Sequence, residues 1–145
     1  MDGMPPELAV FLAIAVWVAI LNVLARVGGW IALAEVYPAA GGFEGDRWWF
    51  QSAQMRWRVN YGGVLTVGAS PRGLYLSVLL PFRIAHPPLF IPWADISASE
   101  RKGLAAGYVE LRFRRAPGIP LRVMERLGRR IAESAGRAFP RVSPP

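Results

Sequence analysis

Residues 8–25, LAVFLAIAVWVAILNVLA, decide the architecture of this chain. These eighteen residues carry no charge and a single polar side chain, that of Asn22. Eleven of them are Leu, Ile, Val or Phe. At about −0.3 to −0.6 kcal/mol each on a membrane-insertion scale, these side chains favour the bilayer by roughly 3 to 7 kcal/mol. An apolar run of this length predicts a membrane-spanning helix instead of the core helix of a soluble domain.

The charges of the chain lie almost entirely after this segment. Residues 1–25 contain Asp2, Glu7 and no base, whereas residues 26–145 contain all 17 basic residues and the other eight acidic ones. The positive-inside rule therefore predicts an N-terminus outside the cell and a C-terminal domain in the cytoplasm. A cleaved signal peptide is the alternative, but it would require a basic segment before a shorter apolar run.

The residues that follow the apolar segment are predicted to meet the membrane surface. Arg26 is placed where its side chain reaches lipid headgroups, and Trp30 and Tyr37 are typical interface anchors. Gly28-Gly29 interrupts the helix, and residues 30–37 (WIALAEVY) then carry apolar side chains at i, i+3, i+4 and i+7. This face indicates a short helix that lies along the membrane surface. In the alternatives, the spanning helix continues or this face packs on the domain.

After the anchor, the pattern changes to short β-rich runs separated by turn signals. The runs start at positions 48, 64, 74, 89, 96, 108 and 119, and turns are expected at 60–63 (NYGG), 70–73 (SPRG) and 116–118 (APG). An amphipathic helix is predicted over residues 124–139. The chain is thus divided into an anchor with an interfacial helix (1–37), a linker (38–46), a mainly-β domain (47–139) and a tail (140–145). About seven strands favour a small barrel closed by the terminal helix.

Two short motifs add a family resemblance to this pattern. They are GLYL at residues 73–76 and IPWADI at residues 91–96, followed by the C-terminal helix. Together they resemble the PH-like superfold of bacterial PH and GRAM-type domains, many of which are tethered to membranes. The resemblance covers roughly residues 47–139 and implies a PH-like small barrel. Phosphoinositide-binding PH domains carry basic residues around the first hairpin, where this chain has only Arg56 and Arg58. The fold by itself implies no activity.

No group of residues typical of a catalytic or cofactor site stands out in the sequence. His86 is the only histidine, and its Pro-rich surroundings are typical of a solvated turn residue. Asp95 is expected to cap a turn. The chain contains no cysteine, which excludes cysteine-ligated zinc and iron–sulfur sites. The apolar segment contains no His to ligate a haem. We therefore expect a non-catalytic protein without a cofactor or metal.

Two sets of residues are candidates for contacts with partners. The aromatic and apolar set is Trp48, Trp49, Phe82 and Ile84, because small domains with surplus aromatic residues often use them at interfaces. The basic set is Arg83, Arg112, Arg114, Arg126, Arg129 and Arg130, and each charge near an anionic leaflet contributes up to about 1 kcal/mol of attraction. A merely solvated basic face is the other interpretation. Nucleic acid competes as a partner for basic residues, but a membrane-anchored domain meets lipid and membrane proteins first. We therefore expect no nucleic-acid partner.

Two functional hypotheses follow from these features. In the first, the chain is an accessory or scaffolding subunit in the bacterial cytoplasmic membrane, and its cytoplasmic PH-like domain docks on a larger membrane protein complex. In the second, the domain is a sensor that binds anionic lipid headgroups at the membrane surface. Salt distinguishes the two, because electrostatic lipid binding weakens with ionic strength whereas hydrophobic docking persists.

Overall fold

The computed structural model describes residues 3–56, 59–80, 82–103 and 107–144. Over these residues the chain forms an N-terminal apolar helix, a short second helix, a curled eight-stranded mixed sheet and a C-terminal helix. The helices are α1 (Pro6–Val27), α2 (Trp30–Val36) and α3 (Glu125–Ala135). The strands are β1 (Asp46–Met55), β2 (Val59–Ser70), β3 (Gly73–Val78), β4 (Leu89–Pro92), β5 (Ile96–Lys102), β6 (Gly107–Phe113), β7 (Ala116–Met124) and β8 (Val142–Ser143).

The strands form one sheet in the order β4-β3-β2-β1-β7-β6-β5-β8. Neighbouring strands are antiparallel except for β8, which pairs in parallel with β5. The sheet curls into a half-barrel whose two edges are β4 and β8. Alternation places one side chain in two on the inner face, where Leu65, Val67, Leu74, Leu76, Leu111 and Leu121 are almost completely buried. The predicted tail therefore contributes an edge strand to the sheet.

Helix α3 covers the inner face of the half-barrel. Its buried side chains, Leu127 and Ile131, follow the predicted apolar stripe. The helix approaches the sheet closely at Gly128, where an added Cβ would lie 2.9 Å from a methyl carbon of Val109 and 3.9 Å from one of Val123. A 3-10 turn at Gly136–Ala138 ends the helical segment.

Helix α2 packs into the core of the domain through its apolar face. Trp30 is 0% exposed and Tyr37 is 4% exposed. The indole of Trp30 packs against the rings of Tyr61 and His86, and its Nε1 donates a hydrogen bond to the carbonyl oxygen of Pro87 at 2.8 Å. The prediction that Trp30 and Tyr37 anchor the chain at the interface is therefore corrected. Their apolar face packs on the domain, so neither ring is available to lipid headgroups.

The segment predicted as a linker is also packed on the half-barrel. Phe43 stacks on Tyr75 with ring centroids 4.9 Å apart. The carbonyl oxygen of Tyr37 accepts a hydrogen bond from the amide of Phe90 at 3.1 Å, and the amide of Ala39 donates to Pro88 at 3.1 Å. These bonds cover the free edge of β4, which would otherwise present unpaired backbone groups.

Two predicted turns are strand residues in the structure. The first, 60–63 (NYGG), lies inside β2, and the connection from β1 to β2 falls at residues 56–58, of which 57 and 58 lie outside the described residues. The pairing shifts from Gln51↔Leu65 to Ala53↔Tyr61, and Gly63 has a φ of 70°. These glycines therefore form a β-bulge instead of a hairpin turn. The second, 116–118 (APG), lies at the start of β7. The predicted turn at 70–73 is confirmed.

The glycine pair between α1 and α2 sets the direction in which the apolar helix leaves the domain. Gly29 has a φ of 90°, a conformation that side chains rarely adopt. A Cβ at this position would lie 2.7 Å from Ile119 on β7. Position 29 therefore requires glycine for two reasons. The backbone there is left-handed, and the side chain of Ile119 leaves no room for a Cβ.

We expect Gly29→Ala to lower the free energy of unfolding by about 2 to 4 kcal/mol, because it combines a left-handed backbone with overpacking against Ile119. Gly41→Ala is the matched control, since Gly41 has a φ of 89° and no heavy atom within 4 Å of its added Cβ. The control should lose only about 1 kcal/mol, the backbone part of the effect. Denaturant unfolding in detergent micelles measures both, and equal losses would contradict the role of the close contact.

Candidate membrane-facing surface

The N-terminal half of α1 projects away from the domain. The helix has 22 residues, which corresponds to about 33 Å, and it is long and apolar enough to cross a membrane. Its exposed large apolar side chains are Leu8, Val10, Phe11, Leu12, Ile14, Val16, Ile20, Val23 and Val27. Asn22, the one polar side chain of the predicted span, donates to the carbonyl oxygen of Val18 at 2.9 Å within the same helix. A surface of this kind is favourable in an apolar solvent and costly in water.

The C-terminal half of α1 lies against the half-barrel. Leu21 and Ala25 are buried, and Trp17 packs on Phe82 with ring centroids 5.0 Å apart. Arg56 caps the C-terminal end of α1. Its Nε donates to the carbonyl oxygen of Val27 at 3.2 Å and its Nη2 to that of Arg26 at 2.9 Å. A positive group at the last carbonyls is favourable at the negative end of the helix dipole. Arg26 itself is exposed at the same end of the helix.

The loop between β3 and β4, residues 79–88, runs beside α1; residue 81 lies outside the described residues. Leu80 is 73% exposed and Ile84 is 39% exposed, whereas Phe82 is half-buried against α1. Arg83 is exposed, and its Nε donates to the carbonyl oxygen of Val78 at 3.1 Å. The structure therefore brings the predicted contact residues Phe82, Arg83 and Ile84 together next to the apolar helix.

His86 is completely buried, so the prediction of a solvated turn residue is wrong. Its Nδ1 lies 2.7 Å from the carbonyl oxygen of Ile84, which only accepts hydrogen bonds, so Nδ1 carries the proton. Its Nε2 then accepts a hydrogen bond from the hydroxyl of Tyr61 at 3.0 Å. Burial lowers the pKa of His86 and raises the pKa of Tyr61, so both side chains are neutral at pH 7. This network ties the 79–88 loop to β2 and α2.

A second polar network surrounds the hydroxyl of Tyr37. This hydroxyl donates to Asp95 Oδ2 at 3.0 Å and accepts a hydrogen bond from the amide of Arg115 at 2.9 Å. Arg114, a predicted contact residue, is 74% exposed and pairs with Asp95 at 3.1 Å. Burial raises the pKa of Tyr37. The network joins the end of α2 to the turn before β5 and the turn after β6, which gives Asp95 a structural function.

The outer face of β5, β6 and β7 carries three arginines around one buried glutamate. Glu110 is 2% exposed, and it lies 3.1 Å from Nε of Arg112, 3.1 Å from Nε of Arg122 and 3.6 Å from Nη2 of Arg101. Burial acts to raise the pKa of Glu110, but the hydrogen bonds and charges of Arg122 and Arg112 outweigh it and hold the pKa below its usual value. Arg112 is thus committed to an ion pair instead of standing free.

The predicted arginine cluster is divided between two sides of the domain. Arg126, Arg129 and Arg130 are exposed on α3, which packs on the inner face of the sheet through Val109 and Val123. Glu110 and Arg122 are the neighbours of those valines along β6 and β7, so they point to the opposite face. Arg112 lies on that outer face, and Arg114 lies at the turn after β6. The structure therefore does not form one continuous basic patch from these residues.

The aromatic residues at the start of β1 are arranged by a bulge. The pairing with β2 passes from Trp48↔Val67 to Gln51↔Leu65, which leaves two residues without the regular alternation. Trp48 is half-buried against the core, whereas Trp49 is 53% and Phe50 73% exposed. Phe50 is not among the contact residues predicted from the sequence, although three consecutive aromatic residues, WWF, already conflict with simple alternation. The exposed pair is therefore Trp49 and Phe50 instead of Trp48 and Trp49.

Comparison with known proteins assigns no family to this arrangement. No protein-family model matches the chain, and no curated protein matches it either. Within the described ranges, no group of three or more His, Cys, Asp or Glu side chains is arranged to hold a metal ion.

The buried histidine makes stability depend on pH in a defined window. Because the pKa of His86 is lower in the folded chain than its ordinary value of 6.5, the unfolded chain binds more protons below that value. We expect the free energy of unfolding to fall as the pH decreases from 6.5 through the folded pKa, and His86→Gln to remove this slope. Denaturant unfolding at a series of pH values measures it.

Glu110→Gln is the control for the pH experiment. The pKa of Glu110 is lowered from 4.5, so its contribution to stability is present above pH 4.5 and is lost at lower pH, as the pH falls through the folded pKa. The variant should be less stable by a constant amount above pH 4.5, keep the slope between pH 6.5 and 4.5, and lose the further decrease in stability at more acidic pH. An unchanged slope below pH 6.5 in His86→Gln would show that another group titrates there.

Proposed function

We propose that this chain is a non-catalytic, single-pass membrane protein whose cytoplasmic PH-like domain docks on a larger membrane protein complex as an accessory or scaffolding subunit. The observation that carries the proposal is an exposed apolar helix fixed to a domain that also exposes Trp49 and Phe50. The helix supplies localisation in the bacterial cytoplasmic membrane, and the aromatic pair supplies the contact. The order of seven strands and a C-terminal helix agrees with the PH-like resemblance.

The charge distribution around α1 supports an N-terminus outside and a domain in the cytoplasm. The N-terminal end of the helix carries Glu7 and no base. At the other end, Arg26 lies in the last turn, Arg56 binds the terminal carbonyls and Arg83 lies in the adjacent loop. Basic residues close to a span are retained on the cytoplasmic side.

Single cysteines test this topology directly, because the chain contains no cysteine. We expect an impermeant thiol reagent to label Gly3→Cys in intact cells and Gly118→Cys only after the membrane is opened. The added Cβ of either residue meets no heavy atom within 4 Å, so both substitutions leave the packing unchanged. The intact mass of the membrane-bound chain should still include residues 1–27. Reversed labelling would refute the orientation, and a mass that lacks this segment would identify it as a cleaved signal sequence.

The backbone at Phe50 supports a docking function for the aromatic pair. Phe50 has a φ of 56°, although a bulky side chain in this left-handed region costs about 1 to 2 kcal/mol. The side chain is 73% exposed, so little burial within the chain compensates for this cost. Strained residues with exposed aromatic side chains are typical of functional surfaces. Because α1 holds the domain at the membrane, the partner we propose is itself a membrane protein.

The polar groups that are candidates for chemistry support a non-catalytic function. The ring nitrogens of His86 both bind neighbouring groups inside the core. Asp95 binds Tyr37 and Arg114, and Glu110 binds three arginines. Each of these side chains therefore already holds elements of the fold together.

We expect wild-type chain extracted from native membranes in mild detergent to migrate within a large complex at both low and high salt. The double variant Trp49→Ser/Phe50→Gly should leave that complex. Phe50→Gly alone should not lower the free energy of unfolding, because glycine relieves a left-handed strain of about 1 kcal/mol and offsets its own entropy cost. Native gels measure the association, and denaturant unfolding measures the stability.

Arg129→Ala/Arg130→Ala is the matched control, since it removes two charges from α3 and leaves the bulge intact. This variant should stay in the complex at high salt. If it dissociates instead, and the wild type dissociates as salt increases, the alternative function of binding anionic lipid through the exposed arginines of α3 is favoured. If the wild type migrates as a free chain of 16.0 kDa, the subunit proposal fails.

A further inference from the structure

We infer that the 79–88 loop enters the hydrocarbon region of the bilayer beside α1, as a second membrane-embedded element whose partner is lipid acyl chains. This inference rests on the proposed function, in which α1 spans the membrane. The exposed N-terminal part of α1 is shorter than the hydrocarbon region is thick. Residues 6–16 of α1 are all exposed, and these eleven residues extend about 16 Å, whereas the hydrocarbon region is about 30 Å thick. The part of α1 that is free of the domain spans only half of the bilayer.

The rest of the span must come from the part of α1 that lies against the domain. Trp17 is ten residues before Val27, which places it about 15 Å along the helix from its C-terminal end. The ring of Phe82 contacts Trp17 at a centroid distance of 5.0 Å. When the full length of α1 is used to cross the bilayer, the 79–88 loop therefore lies at the depth of acyl chains in the cytoplasmic leaflet.

The side chains of the loop suit that environment. Leu80 and Ile84 are exposed, and Phe82 continues the apolar surface of α1 through its contact with Trp17. Arg83 is the only charged residue between positions 73 and 94. Its guanidinium is bound within the chain, because Nε donates to the carbonyl oxygen of Val78 at 3.1 Å. An exposed apolar patch that is continuous with a membrane span is best covered by the same lipid.

Part of the backbone of the loop is hydrogen-bonded within the chain, which lowers the cost of exposing it to a hydrocarbon solvent. The amides of Leu79, Phe82 and His86 donate to Val64, Leu79 and Arg83 at 2.8, 2.7 and 2.9 Å. Side chains satisfy two further carbonyl oxygens, because Arg83 donates to Val78 and His86 donates to Ile84. The buried His86 thereby satisfies the carbonyl oxygen of Ile84 and the amide of its own residue inside the chain.

Depth-dependent quenching in vesicles tests the insertion. The full chain, with single cysteines at Leu80, Phe11 or Arg72, is labelled with an environment-sensitive fluorophore and reconstituted at low density into phosphatidylcholine vesicles. Some of the lipids carry a nitroxide on the acyl chain. Phe11 is 67% exposed on α1 and reports the membrane, whereas Arg72 is exposed at the opposite end of β3 and reports the solvent. All three positions are exposed, and an unchanged unfolding midpoint verifies that each labelled chain is folded.

We expect the labels at Leu80 and Phe11 to lose fluorescence to the acyl-chain nitroxide, and the label at Arg72 to retain it. Quenching at Phe11 without quenching at Leu80 would overturn the inserted loop and leave the spanning helix intact. The same outcome would follow if a second copy of the chain, instead of lipid, covered the loop. Absence of quenching at both Phe11 and Leu80 would overturn the membrane span and with it the proposed function.

Discussion

The burial of Trp30 is the interaction on which the rest of the structure depends. Its ring packs against those of Tyr61 and His86, and its indole nitrogen donates a hydrogen bond to the carbonyl oxygen of Pro87. These contacts join α2, β2 and the 79–88 loop in one buried unit. Because α2 follows α1 after only two glycines, the same unit fixes the direction of the apolar helix. A side chain suited to a membrane interface thereby becomes the core residue that attaches the helix to the domain.

This attachment gives every surface of the domain a defined position relative to α1. A domain on a flexible linker would present all of its faces to the membrane in turn, whereas residues 37–43 pack on the half-barrel. The 79–88 loop therefore always lies beside the apolar helix. Trp49 and Phe50 and the arginines of α3 lie on surfaces whose orientation is set by the same junction. Fixed orientation favours the recognition of a partner that is itself held in the membrane.

The buried ionisable side chains of the domain connect its elements. Tyr37, Asp95 and Arg115 link the end of α2 to the turn before β5 and the turn after β6, and Glu110 collects three arginines from neighbouring positions of the sheet. A buried acid or histidine is costly unless its hydrogen bonds are satisfied, and here each is satisfied by the fold. The charge of the Glu110 group is thus partly neutralised, and the arginines of α3 lie on the other side of the domain, so the arginines do not form a single basic patch.

Local pattern predicted the elements that local physics determines. The apolar run at residues 8–25, the β-rich runs that start at 96 and 108, the turn at 70–73 and the amphipathic pattern of α3 all followed from side-chain periodicity and turn chemistry. The same rules misplaced 60–63 and 116–118, because Gly-Gly and Pro-Gly favour turns while the pairing of β2 with β1 and of β7 with β6 uses them as strand residues. Local propensity is weaker than a continuous ladder of backbone hydrogen bonds.

The sequence by itself determined that one helix of this chain is suited to a membrane and that a basic, mainly-β domain follows it. Only the tertiary structure decided that Trp30, Tyr37 and His86 are buried, since partners 25 to 58 residues away in the chain enclose them. The tertiary structure also places the arginines on two sides of the domain and leaves Phe50 exposed at a bulge in β1. The burial and orientation of a side chain depend on which distant segments of the chain contact it. Side-chain periodicity carries no information about these tertiary contacts.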